Sequence, residues 1–480
     1  MTKIEPYKLG GKWKRIHFVG IGGVGMSPIA KLCLERGLAV SGSDIRENPN
    51  TIRLKTMGAS LFYTHDATNI RRADVVVISS AIPDTNPERI QAQSVGIPVI
   101  KRGTALAMLM SDYPKQIAVA GTHGKTTCSG LLAHTFHQLR LDPTYLVGAT
   151  VVSTGFNAAL GHSPYFISES DESDGSFLEL CPSIGIITNI EPEHIAHYGS
   201  FDALCTAFQT FMNAIATMGG TLVINADDPG VMSLASAITP PARTMTFGLS
   251  SPADVSASTI AFHPTKTTFT VHAPNHDSLP AEIPLLGRHN IYNSLAVIAA
   301  GLVEGIHLPD FLTSLSSFRG VGRRFEHIGS INDIHIYDDY AHHPTEIDTT
   351  LTGAKLANAS RLICIFQPHR YSRTSQLLTE FGHCFSQADR VIITDIYGAN
   401  EPNPTQMSGQ DVVDVIATAT NQAVDYVANK SLIPRFLIPQ LEPGDTIVTM
   451  GAGDISSLAK ELVNHLKSVL VEPSLDHVAI

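Results

Sequence analysis

The sequence predicts an α/β protein made of parallel sheets and divided into three domains. Three observations lead there. Short apolar strands alternate with helix-length patterns along most of the chain. Two glycine-rich loops of different design each follow a strand and open a helix. A length of 480 residues also suits roughly three domains of ordinary size.

The first block runs over 1–107. "RIHFVG" reads as a short buried strand, "GIGGVG" as the loop after it, and "SPIAKLCLERG" as a helix ending at Gly37. "AVSGSD", "ADVVVISSAI" and "IPVIKRG" supply further strands. The second block, 108–318, holds the strands "KQIAVAG", "YFISES", "SIGIITNI" and "GTLVINADD", then a late helix in "GRHNIYNSLAVIAAGL". The glycine- and arginine-rich stretch 317–326, "SFRGVGRRFE", reads as a hinge. The third block, 319–480, brings the strands "RLICIFQPH", "ADRVIITDIYGA" and "DTIVTMGAGDI".

Composition narrows the function. A net charge of −11 argues against a nucleic-acid surface, so an anionic ligand must be held by local cations and amides. Six cysteines without a CxxC pair fit reduced thiols in a cytoplasmic protein better than a disulfide framework. The opening "MTKIEPYKLGGKWKR" has no apolar leader and no stretch is long enough to insert in a bilayer, so a cytoplasmic location is expected. Monomer and homodimer both stay open.

The loop Gly20-x-Gly22-x-x-Gly25 matches the dinucleotide fingerprint, with Asp44 ending the next strand. Its backbone amides and helix N-terminus suit a pyrophosphate, so NAD, FAD, a nucleotide sugar and a plain tight turn all satisfy it. The second loop, Gly121-Thr-His-Gly124-Lys125-Thr126-Thr127, is shorter than a Walker A loop but keeps its ingredients. Its glycines let backbone approach phosphate, Lys125 can reach the transferring group, and the Thr126 hydroxyl suits Mg²⁺.

Acidic and histidine clusters follow other strands. "SESDESDGSF" carries Glu169, Asp171, Glu172 and Asp174, while "TNIEPEHIAHYGSF" carries Glu191, Glu193, His194 and His197. At the carboxyl edge of a sheet, hard oxygen ligands suit Mg²⁺, and no CxxC or HxxxH pattern supports zinc. Arg370 and Arg373 stand three apart, the spacing for two guanidinium groups on one helix face gripping a carboxylate. His342, His343 and His369 are possible proton handlers, with interdomain salt bridges as the plainer reading.

In order, "HFVGIGGVGMS", "AVAGTHGKTT", "DESDGSF", "TNIEPEH", "GRHNIYNSLA", "GVGRRFE", "DDYAHHPTE", "QPHRYSRT" and "GAGDI" resemble the Mur ligases of peptidoglycan synthesis, in particular their alanine-adding branch. The resemblance covers roughly residues 12 to 465. It implies an N-terminal Rossmann-like domain, a central P-loop-type ATPase parallel sheet and a C-terminal Rossmann-like domain. It implies an ATP- and Mg²⁺-dependent ligase acting on UDP-N-acetylmuramate and L-alanine through an acyl phosphate. Gly22, Gly23, Gly25, Met26 and Ser27 would line the pyrophosphate, with Asp44, His65, Ser79 and Arg102 as further contacts of the UDP substrate. ATP would meet Gly121, Thr122, His123, Gly124, Lys125, Thr126 and Thr127, with His289, Asn290, Asn293 and Arg324. Thr126, Glu172 and His194 would hold metal. Tyr340, His342, His369, Arg370 and Arg373 would receive the amino acid, and Lys125, Glu172, His194 and His342 would carry the chemistry.

The pattern departs from the family in places. Pro28 follows "GMS", and Ala196 stands where an aspartate commonly follows the histidine, which loosens the expected metal shell. Residues 195–220 contain no lysine, unlike sister ligases that use a carbamylated one. Three rivals stay in view: the recycling ligase that attaches a tripeptide, a nicotinamide oxidoreductase, and a nucleotide-gated binding protein without turnover.

Overall fold

The structure is a computed structural model that describes residues 13–356, 360–420 and 422–470, so most of the opening stretch expected to carry no leader lies outside the described residues. The chain forms two compact units. One holds the described residues up to 258 with 270–281 and 292–319; the other holds 259–269, 282–291 and the described residues from 320 onward. The division at 319/320 falls within the stretch read as a hinge, where Gly320, Arg323 and Phe325 all have positive φ.

The first unit opens with strands β1 (Arg15–Val19), β2 (Ala39–Ser43), β3 (Ser60–Phe62), β4 (Val75–Ile78) and β5 (Val99–Lys101). Between and after them run helices α1 (Ser27–Glu35), α2 (Pro49–Thr56), α3 (Pro87–Ser94) and α4 (Arg102–Met110). All pairings are parallel, in the order β3-β2-β1-β4-β5. The continuous apolar run of β4 is buried throughout, as a strand covered on both faces must be. Pro28 sits in the first turn of α1, where a missing N–H costs no helical bond. The order reverses between β1 and β4, the switch point at which ligands of such sheets bind, and there Ser79 stands across from Gly20.

The same unit continues with β6 (Lys115–Ala120), α5 (Lys125–Gln138), β7 (Thr144–Val151), β8 (Phe156–Ala159), β9 (Tyr165–Glu169) and β10 (Ile184–Ile187). Then come α6 (Ile195–Tyr198), α7 (Phe201–Thr217), β11 (Thr221–Asn225), α8 (Pro229–Ser236) and β12 (Arg243–Gly248). These strands run β8-β7-β9-β6-β10-β11-β12, parallel except for β8. Strands β13 (Val255–Phe262), β14 (Thr267–His272) and β15 (Leu279–Ile283) and helices α9 (Arg288–Val303) and α10 (Leu308–Leu315) follow in the chain. Helix α7 buries Leu204, Phe208, Phe211, Met212 and Ile215, a 3.6-residue stripe, and is capped by the Ser200 hydroxyl on the Ala203 amide.

The second unit carries β16 (Glu326–Ile331), β17 (Ile334–Asp339), α11 (Pro344–Leu356), β18 (Arg361–Phe366), α12 (Tyr371–Gln376) and α13 (Leu378–Phe381). It ends with β19 (Arg390–Ile393), α14 (Gly409–Thr420), β20 (Val424–Tyr426), α15 (Ile433–Leu437), β21 (Asp445–Met450) and α16 (Ser456–Leu470). The sheet order is β16-β17-β21-β18-β19-β20, with only β16 antiparallel. Alternating side chains split it into two cores: Phe366, Phe385 and Val448 on one face, Ile336, Ile365 and Leu462 on the other.

One polar cluster is buried inside the first sheet. The Glu88 carboxylate accepts from Ser43 Oγ at 2.6 Å and Asn69 Nδ2 at 2.7 Å, and meets His65 Nδ1 at 3.0 Å and His17 Nε2 at 3.4 Å. Burial alone would raise its pKa, but these contacts outweigh burial and hold it at about 2. A pKa depressed on folding stabilises the protein above the unfolded value and loses that stabilisation as pH falls through the folded one. Glu88→Gln is therefore expected to cost about 3 kcal/mol at pH 7, and the gap to wild type in urea unfolding should close as pH falls from about 4.5 to about 2. A gap that does not change with pH would show that the carboxylate charge is not what stabilises the cluster.

Candidate active site

Strand β6 lies between β9 and β10, all three parallel, so the loops at their carboxyl ends meet. The loop after β6 is the second glycine loop. Gly121 has φ +132°, and a Cβ there would lie 2.1 Å from Thr188 Oγ1 and 3.0 Å from the Thr188 nitrogen and Asn189 oxygen, so only glycine fits. Gly124, at φ +86°, caps α5 and packs against Asn293, whose Oδ1 also accepts from the Cys128 thiol. The loop is pinned further by the His123 amide on Asn189 Oδ1 and by the Thr122 hydroxyl, which accepts from the Glu191 amide, each at 2.8 Å.

Lys125 and Thr126 begin α5. The Lys125 ammonium donates to Gly121 O at 2.6 Å, Thr122 O at 2.9 Å and Glu172 Oε1 at 2.8 Å. Burial pulls its pKa down, but the charges of Glu172 and Asp171 outweigh burial and leave it raised. The loop after β9 delivers Glu172, whose side chain is 1 % exposed. Phe177, just beyond, inserts between Phe208 and Phe211 of α7, and the Tyr198 hydroxyl donates to Glu172 O at 2.5 Å. The loop after β10 delivers Glu193 and His194, the latter at φ +57°. His194 Nε2 stands 3.5 Å from Glu172 Oε1 and 3.6 Å from Glu193 Oε2. Burial lowers the His194 pKa, yet its hydrogen bond with Glu172 and the Glu193 charge leave it raised.

Ligand atoms of Glu172, Glu193 and His194 all lie within 4.8 Å of one another, and Glu172 Oε2 is buried without a hydrogen-bond partner. Two carboxylates and an imidazole with an unsatisfied buried oxygen form a donor set that fits a divalent cation. Thr126, expected on a different Mg²⁺ from the one at Glu172 and His194, donates to Glu169 Oε1 at 3.0 Å. Glu193 was read in the sequence only as one acid of a loop; its place directly before His194 was the available signal.

At the first sheet, Asp44 Oδ2 accepts from the Gly22 amide at 2.8 Å, so the acid expected near the uridine closes the glycine loop on itself. A Cβ on Gly22 would collide with Asp44, Asn48 and Thr51, whereas Gly23 is exposed. Met26 and Ser27 are buried at the start of α1. His65 belongs to the Glu88 cluster, and Ser79 faces Gly20. Arg102 packs on Gly25, and its Nη2 donates to Asp171 at 3.2 Å, to Asp174 at 3.1 Å and to Ser176 Oγ at 2.9 Å. Within one compact unit it thus joins the first glycine loop to the acidic loop.

The second unit gathers Tyr340, His342, His369 and Arg373. The His342 ring lies 5.3 Å from Tyr340 and 6.2 Å from His369, and Arg373 Nη1 lies 3.2 Å from His369 Nδ1. Burial first, then the Arg373 charge, lower the His369 pKa to about 4. Arg370 and Arg373 do not form the expected pair on one helix face. Arg370 is the cap before α12, at φ +70°, and its guanidinium meets Glu401, while Arg373 inside the helix turns to His369. His289 and Asn290 share a hydrogen bond of 3.0 Å. Burial, then the nearby Arg324 charge, lower the His289 pKa to about 4. Arg324 also stacks over Tyr340 and meets Glu346 at 3.7 Å.

Three family models match the chain: "Mur ligase family, catalytic domain" over 15–114, "Mur ligase middle domain" over 119–301, and "Mur ligase, glutamate ligase domain" over 323–453. A UDP-N-acetylmuramate–L-alanine ligase of Acaryochloris marina is 40% identical over 476 residues, covering 96% of each chain. One of Myxococcus xanthus is 42% identical over 454 residues, covering 95% of each. Among solved structures, the UDP-N-acetylmuramate-alanine ligase of Thermotoga maritima superposes with a TM-score of 0.81 at 29% identity, covering 95% of this chain and 99% of that one. A murein peptide ligase of Psychrobacter arcticus reaches 0.69 at 25% identity, covering 97% and 100%.

Gly121→Ala combines a strained φ with a clash against backbone. It is expected to cost about 2 kcal/mol or more, seen as a lower thermal midpoint. A midpoint equal to wild type would show that the loop adapts freely.

Proposed function

The chain belongs to the Mur ligase family, and we propose that it joins the carboxylate of UDP-N-acetylmuramate to the amine of L-alanine, driven by ATP, in cytoplasmic peptidoglycan precursor synthesis. The observation that carries this reading is the meeting of Lys125, Glu172 and His194 at the ends of three adjacent parallel strands. The names borne by relatives about 40% identical over nearly the whole chain support the substrates. No helix among the described residues is long and apolar enough to cross a membrane.

Three domains divide the work: 1–107 holds the UDP substrate, 108–318 binds ATP, and 319–480 receives alanine. The pyrophosphate lies along Gly23, Gly25, Met26 and Ser27. The phosphates of ATP lie along the loop from Gly121 to Thr127, beside Asn293. A carboxylate is a poor acyl donor because oxide is a poor leaving group. Its oxygen therefore attacks the γ-phosphorus, ADP leaves, and an acyl phosphate forms. Lys125 and the loop amides stabilise charge on the transferring group. Glu172, Glu193 and His194 are the residues that would hold Mg²⁺, which when bound neutralises phosphoryl charge. Arg373 takes the alanine carboxylate, and His342 takes the proton as the amine attacks the acyl carbon. Collapse of the tetrahedral intermediate expels phosphate and leaves the amide. The His342 role is supported by its Nδ1 contact with Tyr340 O at 3.0 Å, which fixes the ring beside Tyr340 and His369.

Phosphate release should require UDP-N-acetylmuramate, an amino acid and ATP-Mg²⁺ together, with alanine the best of an amino-acid panel. Lys125→Ala is expected to lower kcat by about 100-fold or more and, by leaving the buried Glu172 carboxylate unpaired, to lower the thermal midpoint, with circular dichroism below that midpoint still showing the folded protein. Arg373→Ala should chiefly raise KM for alanine. Wild-type turnover by Lys125→Ala, or nicotinamide reduction without phosphate release, would overturn the assignment.

A further inference from the structure

The Lys125 ammonium has three N–H donors, and the structure uses all three, on Gly121 O, Thr122 O and Glu172 Oε1. No donor remains for a phosphate until one of these bonds breaks. Glu172 is 1 % exposed, and a carboxylate so removed from water needs a cation beside it. Its Oε1 takes the lysine and also stands 3.5 Å from His194 Nε2, so ammonium and candidate metal group share that oxygen, while its Oε2 is buried without a partner. One carboxylate therefore serves a resident monovalent charge and the seat of a divalent one.

We propose that Lys125 is a place-holding cation of the metal site: without nucleotide it occupies Glu172 and keeps divalent metal out, and it vacates Glu172 when phosphate draws it away. Two cations crowded on one buried carboxylate repel each other. Moving the ammonium to a phosphate removes the repulsion and frees Oε1 together. Metal and nucleotide then favour each other's binding, and by linkage the coupling is reciprocal. The switch also keeps a bare metal ion from settling in the site before the phosphates arrive. The inference rests on the reading of 121–127 as the phosphate loop. Its test uses neither nucleotide nor either substrate, so it can fail while the ligase assignment stands.

Mn²⁺ binding to the full-length protein, followed by the loss of the free-ion paramagnetic resonance signal, reads the effect directly. Wild type without nucleotide should bind Mn²⁺ weakly at this site. Lys125→Met should bind it at least about tenfold more tightly, and added Mn²⁺ should raise its thermal midpoint more than that of wild type. Adding Glu172→Gln to Lys125→Met should abolish the gain. Lys125→Gln, whose amide can keep the loop carbonyl contacts, should show the same gain and serves if the methionine variant does not fold. Equal Mn²⁺ affinity in wild type and a folded neutral variant overturns the proposal. So does a gain that survives Glu172→Gln, since the metal would then sit elsewhere.

Discussion

A charged carboxylate removed from water at Glu172 is the constraint around which the central site is organised. The effective penalty for burying such a charge is several kcal/mol, and removing its partner alone is strongly destabilising. The chain accepts that penalty and builds supports around it. Phe177 wedges the loop into the aromatic side of α7, Tyr198 holds the Glu172 carbonyl, and Lys125 supplies the opposite charge. Only Phe177 belongs to the acidic stretch itself, whose four acids in six residues read alone look like a solvated turn. The fold makes one of the four a buried functional group and leaves Asp171 and Asp174 to the Arg102 guanidinium.

Parallel topology does the rest. In each sheet a carboxyl edge gathers loops from strands far apart in sequence, and in each case the loop residues differ while the device is the same. At the first sheet Asp44 spends its carboxylate on the Gly22 amide, so the loop shape is fixed before any ligand arrives. A dinucleotide site would instead keep that acid for a ribose hydroxyl. Arg102 then ties this loop to the acidic loop of the neighbouring sheet, through side chains 69 and 72 residues away. Residues assigned separately from sequence thus belong to one continuous polar structure.

Much of this was legible in the sequence, and the parts that were not share a cause. Strands β1, β4, β6, β9, β10, β18 and β21 announced themselves as short apolar runs, because a buried parallel strand has few other ways to be written. The helix α1 was bracketed by "GMSP" and Gly37, and the glycine loops by their spacing. Short or half-exposed pieces such as β3, β8 and β20 carried no such run and passed unread. Glu193 was visible as a residue but not as a partner of Glu172, since only the pairing of both β9 and β10 with β6 brings the two loops together. The pair Arg370 and Arg373 shows the opposite failure. Spacing alone implied a shared helix face, but Arg370 has φ +70°, outside the helix, which turns its side chain to Glu401.

That correction sharpens the chemistry assigned to the second unit. An amino acid arrives as a zwitterion, so its receiving site must bind a carboxylate and also allow the ammonium to lose a proton. A site with two guanidinium groups and charged imidazoles would serve the first need and oppose the second. Here burial and Arg373 keep His369 neutral down to about pH 4, so the fixed positive charge at that pair is on the guanidinium and not on the ring. A neutral His369 beside the Arg373 cation separates the two tasks on the proposed reading: the guanidinium meets the acid end while the ring adds no positive charge to oppose proton loss from the ammonium. Arg370, turned to Glu401, still adds to the lowering of the His369 pKa, but behind burial and Arg373, so the guanidinium in contact with the ring is the one that matters most.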